Sequence, residues 1–376
     1  MIERPFKKKA KFEHLRKVLL RETKNGPVPI IELGVDPEVM FEVTGERVRG
    51  LREIYKVLQD GVTNPTPDQV KLIEKYLDLC IKFHVMVGYD YVMLIQGSPL
   101  VRTEAQLKQN PQQGGKVRPW REEHKGMINS RQEFESYPWP SVNHIQTYMP
   151  LEYMASRMPA GMKVSAFIWG IWEDLNMLMG FENVAIKSIE DPELIGDILE
   201  RLSGIMEAVI EKAAAHPATG LIFYVDDLGF KGGTMISPRW IRERLIPRYK
   251  RFADISHKHG KPFLFHACGQ VDAIMKDLIE VVGIDGKHSF QDDIEPVEEI
   301  YKKYGNRISV LGGLDVDILT RGTTEQVRAR TRQILEACAP GGGYCMGSGN
   351  SLTNYLKIEN YYAMLDETRK WNEEHE

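Results

Sequence analysis

The chain has 376 residues, of which 42% are hydrophobic and 27% are charged, a balance typical of a globular protein with a large core. The net charge of −4 gives no reason to expect nucleic acid or an anionic membrane as a partner. No apolar run approaches the roughly 18 residues that a membrane span needs, and the charged N-terminal segment does not resemble a secretory signal. With four cysteines, the sequence favours a reducing, cytoplasmic setting over a disulfide scaffold.

Short apolar segments alternate with longer amphipathic ones along most of the chain. Several short segments are rich in Val, Ile, Phe and Tyr and nearly continuous in apolarity, which is typical of strands buried on both faces of a parallel sheet. In chain order, the eight predicted strands cover residues 28–33, 85–95, 163–169, 220–227, 262–267, 283–289, 308–313 and 343–347.

The amphipathic segments carry helix-start signals, namely a capping residue before proline or a Thr-x-x-Gln capping box. In chain order, helices are predicted after Thr66, from Asp191, over residues 237–260, from Thr323, and over residues 358–374. Eight strands that alternate with helices predict an α/β fold of the (β/α)8 TIM-barrel type. A dinucleotide fingerprint after the first strand is missing, which disfavours the doubly wound alternative. We therefore predict one barrel domain over residues 1–376.

One polar segment, residues 97–146, interrupts this alternation after the second strand. It is rich in Gly and Pro and contains Trp120, Tyr137 and Trp139. Since the loops that follow barrel strands form the active-site face, this insertion is either a lid over the barrel mouth or a variable surface excursion.

The sharpest chemical signal is the segment FLFHACGQ at the end of the fifth strand. His266 and Cys268 are two residues apart, so in an extended chain their side chains point to the same side. Imidazole plus thiolate is a ligand pair that suits Zn²⁺. Cys345, in the eighth strand, is the predicted third ligand, because both strands reach the barrel axis at the mouth. Three protein ligands leave one position open, as in catalytic zinc sites; the alternative is a buried pair of unrelated polar side chains.

The surrounding sequence resembles the uroporphyrinogen decarboxylase superfamily, clearly over residues 160–370. The resemblance is carried by HACGQVDAIMKDLIEVVGIDG, ISVLGGLDVDIL, GTTEQVRARTRQILEACAPGGGY, IENYYAM and DDLGFKGGTMISPRWIRERLIPRYK. It implies a (β/α)8 barrel of the uroporphyrinogen decarboxylase type with one of two chemistries. These are cofactor-free decarboxylation of a tetrapyrrole and zinc-dependent methyl transfer to or from a corrinoid on a separate protein.

Two segments separate these chemistries. The decarboxylases carry an arginine-rich stretch after the first strand, where this chain has ELGVDPEVMFEV without arginine. They also carry Gly-His-Gly near the last strand, where this chain has Gly347-Ser348-Gly349. The methyltransferase branch carries His-x-Cys-Gly and a later cysteine, matched here by His266, Cys268 and Cys345, although some alignments bring the last cysteine nearer Ser348. The resemblance thus favours the methyltransferase branch.

The same resemblance implies the cofactor and the partner. The Asp-x-His-x-x-Gly motif that supplies a ligand to cobalt is missing, so cobalamin is expected on a corrinoid carrier protein that docks at the barrel mouth. The aromatic residues near the mouth favour O-demethylation of a methoxylated aromatic compound. They are Tyr89, Tyr91, Trp120, Trp139, Trp169 and Trp172. A methyl-corrinoid:thiol methyltransferase, a metal-free decarboxylase and a non-catalytic zinc-binding barrel remain as alternatives, and a homodimer is left open.

Further polar residues lie at or near strand ends. Glu32, Asp226 and Asp227 are candidates for catalytic work as proton donors, or for ligand or ligand-orienting roles; for the Asp226–Asp227 pair, helix capping is the alternative. The candidate substrate-binding residues are Asp90, Tyr91, Trp169, His288 and Asn350.

Overall fold

The computed structural model of the protein describes residues 9–51, 54, 65–96, 100, 106–109, 117–120, 126–142 and 148–375. Its strands are β1 (Tyr91–Gln96), β2 (Gln106–Gln109), β3 (Val117–Trp120), β4 (Lys163–Trp169), β5 (Thr219–Val225), β6 (Gly229–Phe230), β7 (Gly233–Thr234), β8 (Phe263–His266), β9 (Gly286–His288), β10 (Ser309–Leu311) and β11 (Tyr344–Cys345). Seven of these pair in parallel in the order β1-β4-β5-β8-β9-β10-β11. The remaining four form two antiparallel hairpins, β2–β3 and β6–β7.

The predicted first strand, residues 28–33, closes this curled sheet into a barrel. Ile30 forms a parallel bridge with Met346, and Met346 N donates to Pro29 O at 2.8 Å. On the other side, the Tyr91 hydroxyl accepts from Glu32 N at 2.7 Å and donates to Glu32 O at 3.0 Å. A regular ladder does not form here in part because Pro29 has no N–H to donate. The (β/α)8 barrel predicted from the sequence is confirmed.

Strand β5 shows how the barrel is buried on both faces. Leu221, Phe223 and Val225 belong to one hydrophobic cluster, while Ile222 and Tyr224 belong to a second one. Because successive side chains of a strand point to opposite faces, the strand separates the two clusters. This explains why its sequence is continuously apolar rather than alternating.

Helices surround the sheet. Their bounds are Phe12–Leu19, Pro37–Thr44, Pro67–Val87, Arg131–Ser136, Tyr148–Arg157, Ile171–Met179, Phe181–Glu190, Pro192–Ala215, Pro238–Arg244, Ile246–Lys258, Asp272–Asp277 with a π-helical turn at Leu278–Val282, Val297–Tyr304, Val316–Arg321, Thr324–Cys338 and Ile358–His375. The capping boxes at Thr66 and Thr323 are both formed. Among the described residues, no helix combines the length and the apolar character that a membrane crossing requires.

Two predicted boundaries are wrong for identifiable reasons. Residues 85–87 end the helix Pro67–Val87 rather than starting a strand, since Gly88 adopts a left-handed φ of 81° and terminates the helix there. An apolar run alone does not distinguish a buried helix end from a strand. Residues 237–260 form two helices instead of one, with the break at Leu245. Pro247 follows, and its missing N–H is tolerated only in a first helical turn.

The insertion after β1 is described in part. Its described residues include the hairpin β2–β3 and the helix Arg131–Ser136. Gly126 N and Ile128 N donate to backbone oxygens of Met179 and Leu178 at 3.0 Å, which ties the end of the insertion to the helix Ile171–Met179. Residues 97–99, 101–105, 110–116, 121–125 and 143–146 and the side chain of Trp120 lie outside the described residues, so the lid stays a prediction.

Candidate metal centre

Three potential metal ligands converge at the carboxyl ends of two neighbouring strands. Asp227 follows β5, His266 ends β8, and Cys268 follows two residues later. His266 Nε2 lies 3.3 Å from Cys268 Sγ and 3.3 Å from Asp227 Oδ1. One ligand atom from each residue lies within 4.8 Å of the other two.

Backbone contacts fix the two loops that carry these side chains. Asp227 Oδ1 accepts from Cys268 N at 2.9 Å, and Gln270 N donates to Phe230 O at 2.9 Å. Gly269 has a left-handed φ of 71°, and a Cβ atom there would lie 2.3 Å from the backbone carbon of Gly229. Glycine is therefore required where the ligand loop packs on the β6–β7 hairpin.

The tautomers of two histidines follow from their partners. His288 Nε2 lies 3.1 Å from the backbone oxygen of Ser348, which can only accept, so Nε2 carries a proton. Burial lowers the pKa of His288 well below its ordinary value, so the ring is neutral and Nδ1 accepts. His266 Nδ1, 2.8 Å away, therefore donates to it. Burial also lowers the pKa of His266, so its ring is neutral, and Nε2 is unprotonated with its lone pair facing Cys268 and Asp227.

Side-chain acceptors outnumber side-chain protons at this point, although Asp227 Oδ1 also accepts from the backbone amide of Cys268. Burial and the Asp227 carboxylate raise the pKa of the Cys268 thiol to about 12, so without a cation the thiol is protonated at neutral pH. Its one proton faces two acceptors, His266 Nε2 and Asp227 Oδ1. A divalent cation in place of that proton satisfies thiolate, imidazole and carboxylate together. The donor set fits Zn²⁺, which takes sulfur, nitrogen and oxygen ligands.

Asn350 and His288, predicted to bind substrate, instead contact the candidate ligands. Asn350 Nδ2 donates to Cys268 Sγ at 3.3 Å, while His288 accepts from His266. Such contacts set the orientation and the basicity of metal ligands.

The geometry does not support Cys345 as the third ligand. It lies outside the group formed by Asp227, His266 and Cys268, and its thiol is fully buried in the hydrophobic core. Two strands, β9 and β10, separate β11 from β8, and neighbouring strands are about 5 Å apart. Asp227, which follows the strand next to β8, lies with His266 and Cys268 instead. Sequence spacing along the chain carries no information on this lateral distance.

Asp226, the neighbour of Asp227, has a different environment. Its carboxylate accepts from Trp172 N at 3.1 Å and Glu173 N at 2.9 Å, which are free amides at the start of the helix Ile171–Met179. The Tyr249 hydroxyl donates to it at 2.6 Å. Burial raises the pKa of Asp226 to about 7. These contacts favour the helix-capping alternative over a catalytic role.

Other predicted site residues are not among these three candidate ligands. Asp90 precedes β1 at the amino end of the barrel, where it accepts from Lys11 N at 2.8 Å. Tyr91 closes the barrel against Glu32, as described above. Trp169 does end β4 on the same side as the metal centre, half-buried against Phe167 with ring centroids 5.1 Å apart. Glu32 hydrogen-bonds to Ser348 and does not belong to the ligand group.

Lys287, which the sequence patterns did not single out, lies inside β9 and is 2% exposed. Its Nζ donates to Ala267 O at 3.2 Å and Ser289 O at 3.1 Å, so it holds the backbone between the two ligands His266 and Cys268. Burial lowers its pKa to about 8. A lysine inside a short buried strand is the signal that could have revealed it, because buried cations are rare without a role.

Comparison with known proteins gives the fold and the family. The family model for uroporphyrinogen decarboxylase (URO-D) matches residues 126–371, and no curated protein matches the sequence significantly. A methyltransferase from Methanosarcina mazei shares the fold with a TM-score of 0.67, at 15% identity, over 96% of this chain and 99% of its own. A B12-independent methionine synthase from Shewanella sp. W3-18-1, solved with selenomethionine, gives a TM-score of 0.52 at 11% identity, over 92% and 96%.

At such identities, the structural likeness shows the fold alone, whereas the family match shows ancestry. That match covers more than half of the chain and includes β4, β5 and β8 to β11, with the loops that carry Asp227, His266 and Cys268. It confirms the resemblance found in the sequence. The chain belongs to the uroporphyrinogen decarboxylase (URO-D) family.

Proposed function

We propose that this protein is a zinc-dependent methyltransferase that moves a methyl group between a small methylated substrate and the cobalt of a corrinoid carrier protein. The convergence of Asp227, His266 and Cys268 at the barrel mouth is the observation that carries the proposal. The fold shared with a methyltransferase and a methionine synthase supports it.

Zinc bound here would supply Lewis acidity, which takes up charge on the substrate heteroatom as the methyl group is transferred. The residues around it have distinct tasks. His288 keeps His266 Nε2 free of protons, and the Asn350 amide donates to the Cys268 sulfur. Asp227 neutralises part of the metal charge.

The substrate side of the centre is the side of Asp227. Its side chain is 38% exposed, whereas that of His266 is 1% exposed. A substrate oxygen or sulfur therefore approaches past the carboxylate, with His266 behind the metal position. The half-buried Trp169, on the same side of the barrel, favours an aromatic methyl ether as substrate.

The test is a methyl-transfer assay with the zinc-loaded full chain. We expect methoxylated aromatics and reduced cobalamin to give methylcobalamin, read by its absorbance, with one zinc per chain. Cys268→Ala should abolish both zinc binding and transfer, while Cys80→Ala, which alters a buried cysteine in a helix, should abolish neither. Methyl transfer to thiols instead of from ethers would assign the opposite direction. Decarboxylation of a tetrapyrrole by zinc-free protein would contradict the proposal.

A further inference from the structure

The Glu32 carboxyl group lies in the segment 28–33 that closes the barrel against β11, and it is 2% exposed. Its Oε1 accepts from Ser348 N at 2.9 Å, and its Oε2 makes a short hydrogen bond with Ser348 Oγ. This pair joins two segments that are 316 residues apart in the sequence. A Cβ atom on Gly347 would lie 1.9 Å from Ile31 O, so the two backbones are also in close contact.

The protons in this contact can be counted. Ser348 Oγ lies 2.9 Å from Asn350 O, and a backbone carbonyl can only accept. Ser348 Oγ has a single proton for two acceptors, Asn350 O and Glu32 Oε2, and both hydrogen bonds form together only if Glu32 supplies a proton of its own. The hydrogen bonds are complete only if Glu32 is a neutral carboxylic acid. Burial acts in the same direction, since it raises the pKa of Glu32 to about 8.

Residues 348–350, which Glu32 holds, support both soft ligands of the metal centre. Ser348 O accepts from His288 Nε2 and thereby sets the tautomer that leaves His266 Nε2 free. Asn350 Nδ2 donates to Cys268 Sγ. Small shifts of this segment would therefore change both the tautomer of His266 and the hydrogen bond to the Cys268 sulfur.

We propose that Glu32 is a protonated positioning residue, which orients His266 and Cys268 for the metal through Ser348, His288 and Asn350. This inference deepens the proposed function and rests on its metal site. It also replaces the catalytic role that sequence analysis gave to Glu32, because the carboxyl group has no direct contact with the ligand group.

The test compares Glu32→Gln with Glu32→Leu. Glutamine reproduces a neutral group with one acceptor and one donor, so its zinc affinity should stay within about threefold of wild type, whereas leucine should weaken binding roughly 10–100-fold. Affinity is measured by competition with a chromophoric chelator. Glu336→Gln, at an exposed position, is the matched control. Ser348→Ala should weaken binding in the same direction as Glu32→Leu, and it serves if the leucine variant does not fold.

A second readout needs no metal. Long-range ¹H–¹⁵N NMR of the histidines should show His288 protonated at Nε2 in wild type and Glu32→Gln, and a mixture of tautomers in Glu32→Leu and Ser348→Ala. Unchanged affinity and tautomer in the last two variants would overturn the inference. So would a Glu32→Gln variant that behaves like Glu32→Leu, since an ionised carboxylate would then be required. A wild type that binds no zinc would instead remove the proposed function, and the tautomers would still decide the role of Glu32.

Discussion

A histidine–aspartate contact lies at each end of the neighbouring strands β8 and β9, but the hydrogen bonding of the two contacts differs. At the amino ends, His257 Nε2 lies 2.8 Å from Asp285 Oδ2, which also accepts from Phe263 N at 2.7 Å. At the carboxyl ends, His266 Nε2 lies 3.3 Å from Asp227 Oδ1, and its other nitrogen already donates to His288.

The difference lies in the supply of protons. At the amino ends, the carboxylate has a backbone donor and a histidine that is free to take up a proton. At the carboxyl ends, the carboxylate also has a backbone donor, Cys268 N, but the lone pair of the buried histidine and the carboxylate share a single thiol proton. The first arrangement stabilises the fold by itself, whereas we propose that the second is completed by a cation. Functional sites often retain such local imbalance, and the rest of the fold compensates for it.

The largest expected effect comes from removing a ligand at the carboxyl ends. Cys268→Ala should lower zinc affinity by more than the roughly 10–100-fold that outer contacts cost, because the thiolate itself is lost. Cys338→Ala, in the buried face of the helix Thr324–Cys338, is the matched control for loss of a buried thiol. Equal zinc affinity in both variants would show that the comparison of strand ends is mistaken.

Substitution of Asp226 tests whether this carboxylate stabilises the fold as a helix cap, in contrast to its neighbour Asp227 in the candidate metal centre. Asp226→Ala should lower the free energy of unfolding by about 2–4 kcal/mol, since it leaves two helix amides and the Tyr249 hydroxyl without their acceptor. Chemical denaturation of the metal-free protein measures this. A loss below about 1 kcal/mol would be no more than an average substitution, and Asp226 would then not be the cap that its geometry indicates.

Asp227→Asn should instead weaken zinc binding and leave the stability of the metal-free protein intact. We expect zinc affinity to fall about tenfold or more, because a charged ligand becomes a neutral amide. The metal-free protein should be about as stable as wild type, since the amide oxygen can still accept from Cys268 N. Calorimetry with and without zinc separates the two effects. A metal-free variant that melts well below wild type would place Asp227 with the structural carboxylates.

The smallest expected effect is a pH-dependent change in stability at the amino ends of β8 and β9, where His257 contacts Asp285. The hydrogen bond to Asp285 raises the pKa of His257 above its ordinary value, an effect that burial partly opposes; Asp254 adds to the rise and Lys250 opposes it. The stability gained is therefore fully present below the ordinary pKa and is lost as pH rises through the raised one.

His257 is 38% exposed, so solvent screening limits the gain to a few tenths of a kcal/mol. The difference in unfolding free energy between wild type and His257→Gln should shrink from pH 5.5 to pH 8, a range chosen to bracket the usual pKa of about 6.5. A difference that grows with pH would have the wrong sign for this ion pair.

Local patterns in the sequence predicted much of this molecule. The apolar strands, the capping boxes at Thr66 and Thr323, and the shared direction of His266 and Cys268 all follow from short-range periodicity. Asp227 was a candidate because it follows a strand.

The remaining features depend on lateral neighbours in the folded barrel. Cys345 suits zinc chemically, but two strands separate it from β8. Glu32 acts on a segment 316 residues away, and Asp226 differs from Asp227 only because the start of a helix lies beside it. None of these distances is encoded in spacing along the chain.

The central claim is that the ion is held by Asp227, His266 and Cys268. X-ray absorption at the zinc edge of the zinc-loaded full chain tests it most directly, because sulfur and lighter ligands scatter differently. We expect one sulfur at about 2.3 Å with the remaining ligands nitrogen or oxygen at about 2.0–2.2 Å. Two sulfurs would bring Cys345 back into the ligand set and contradict this account, as would a chain that binds no zinc.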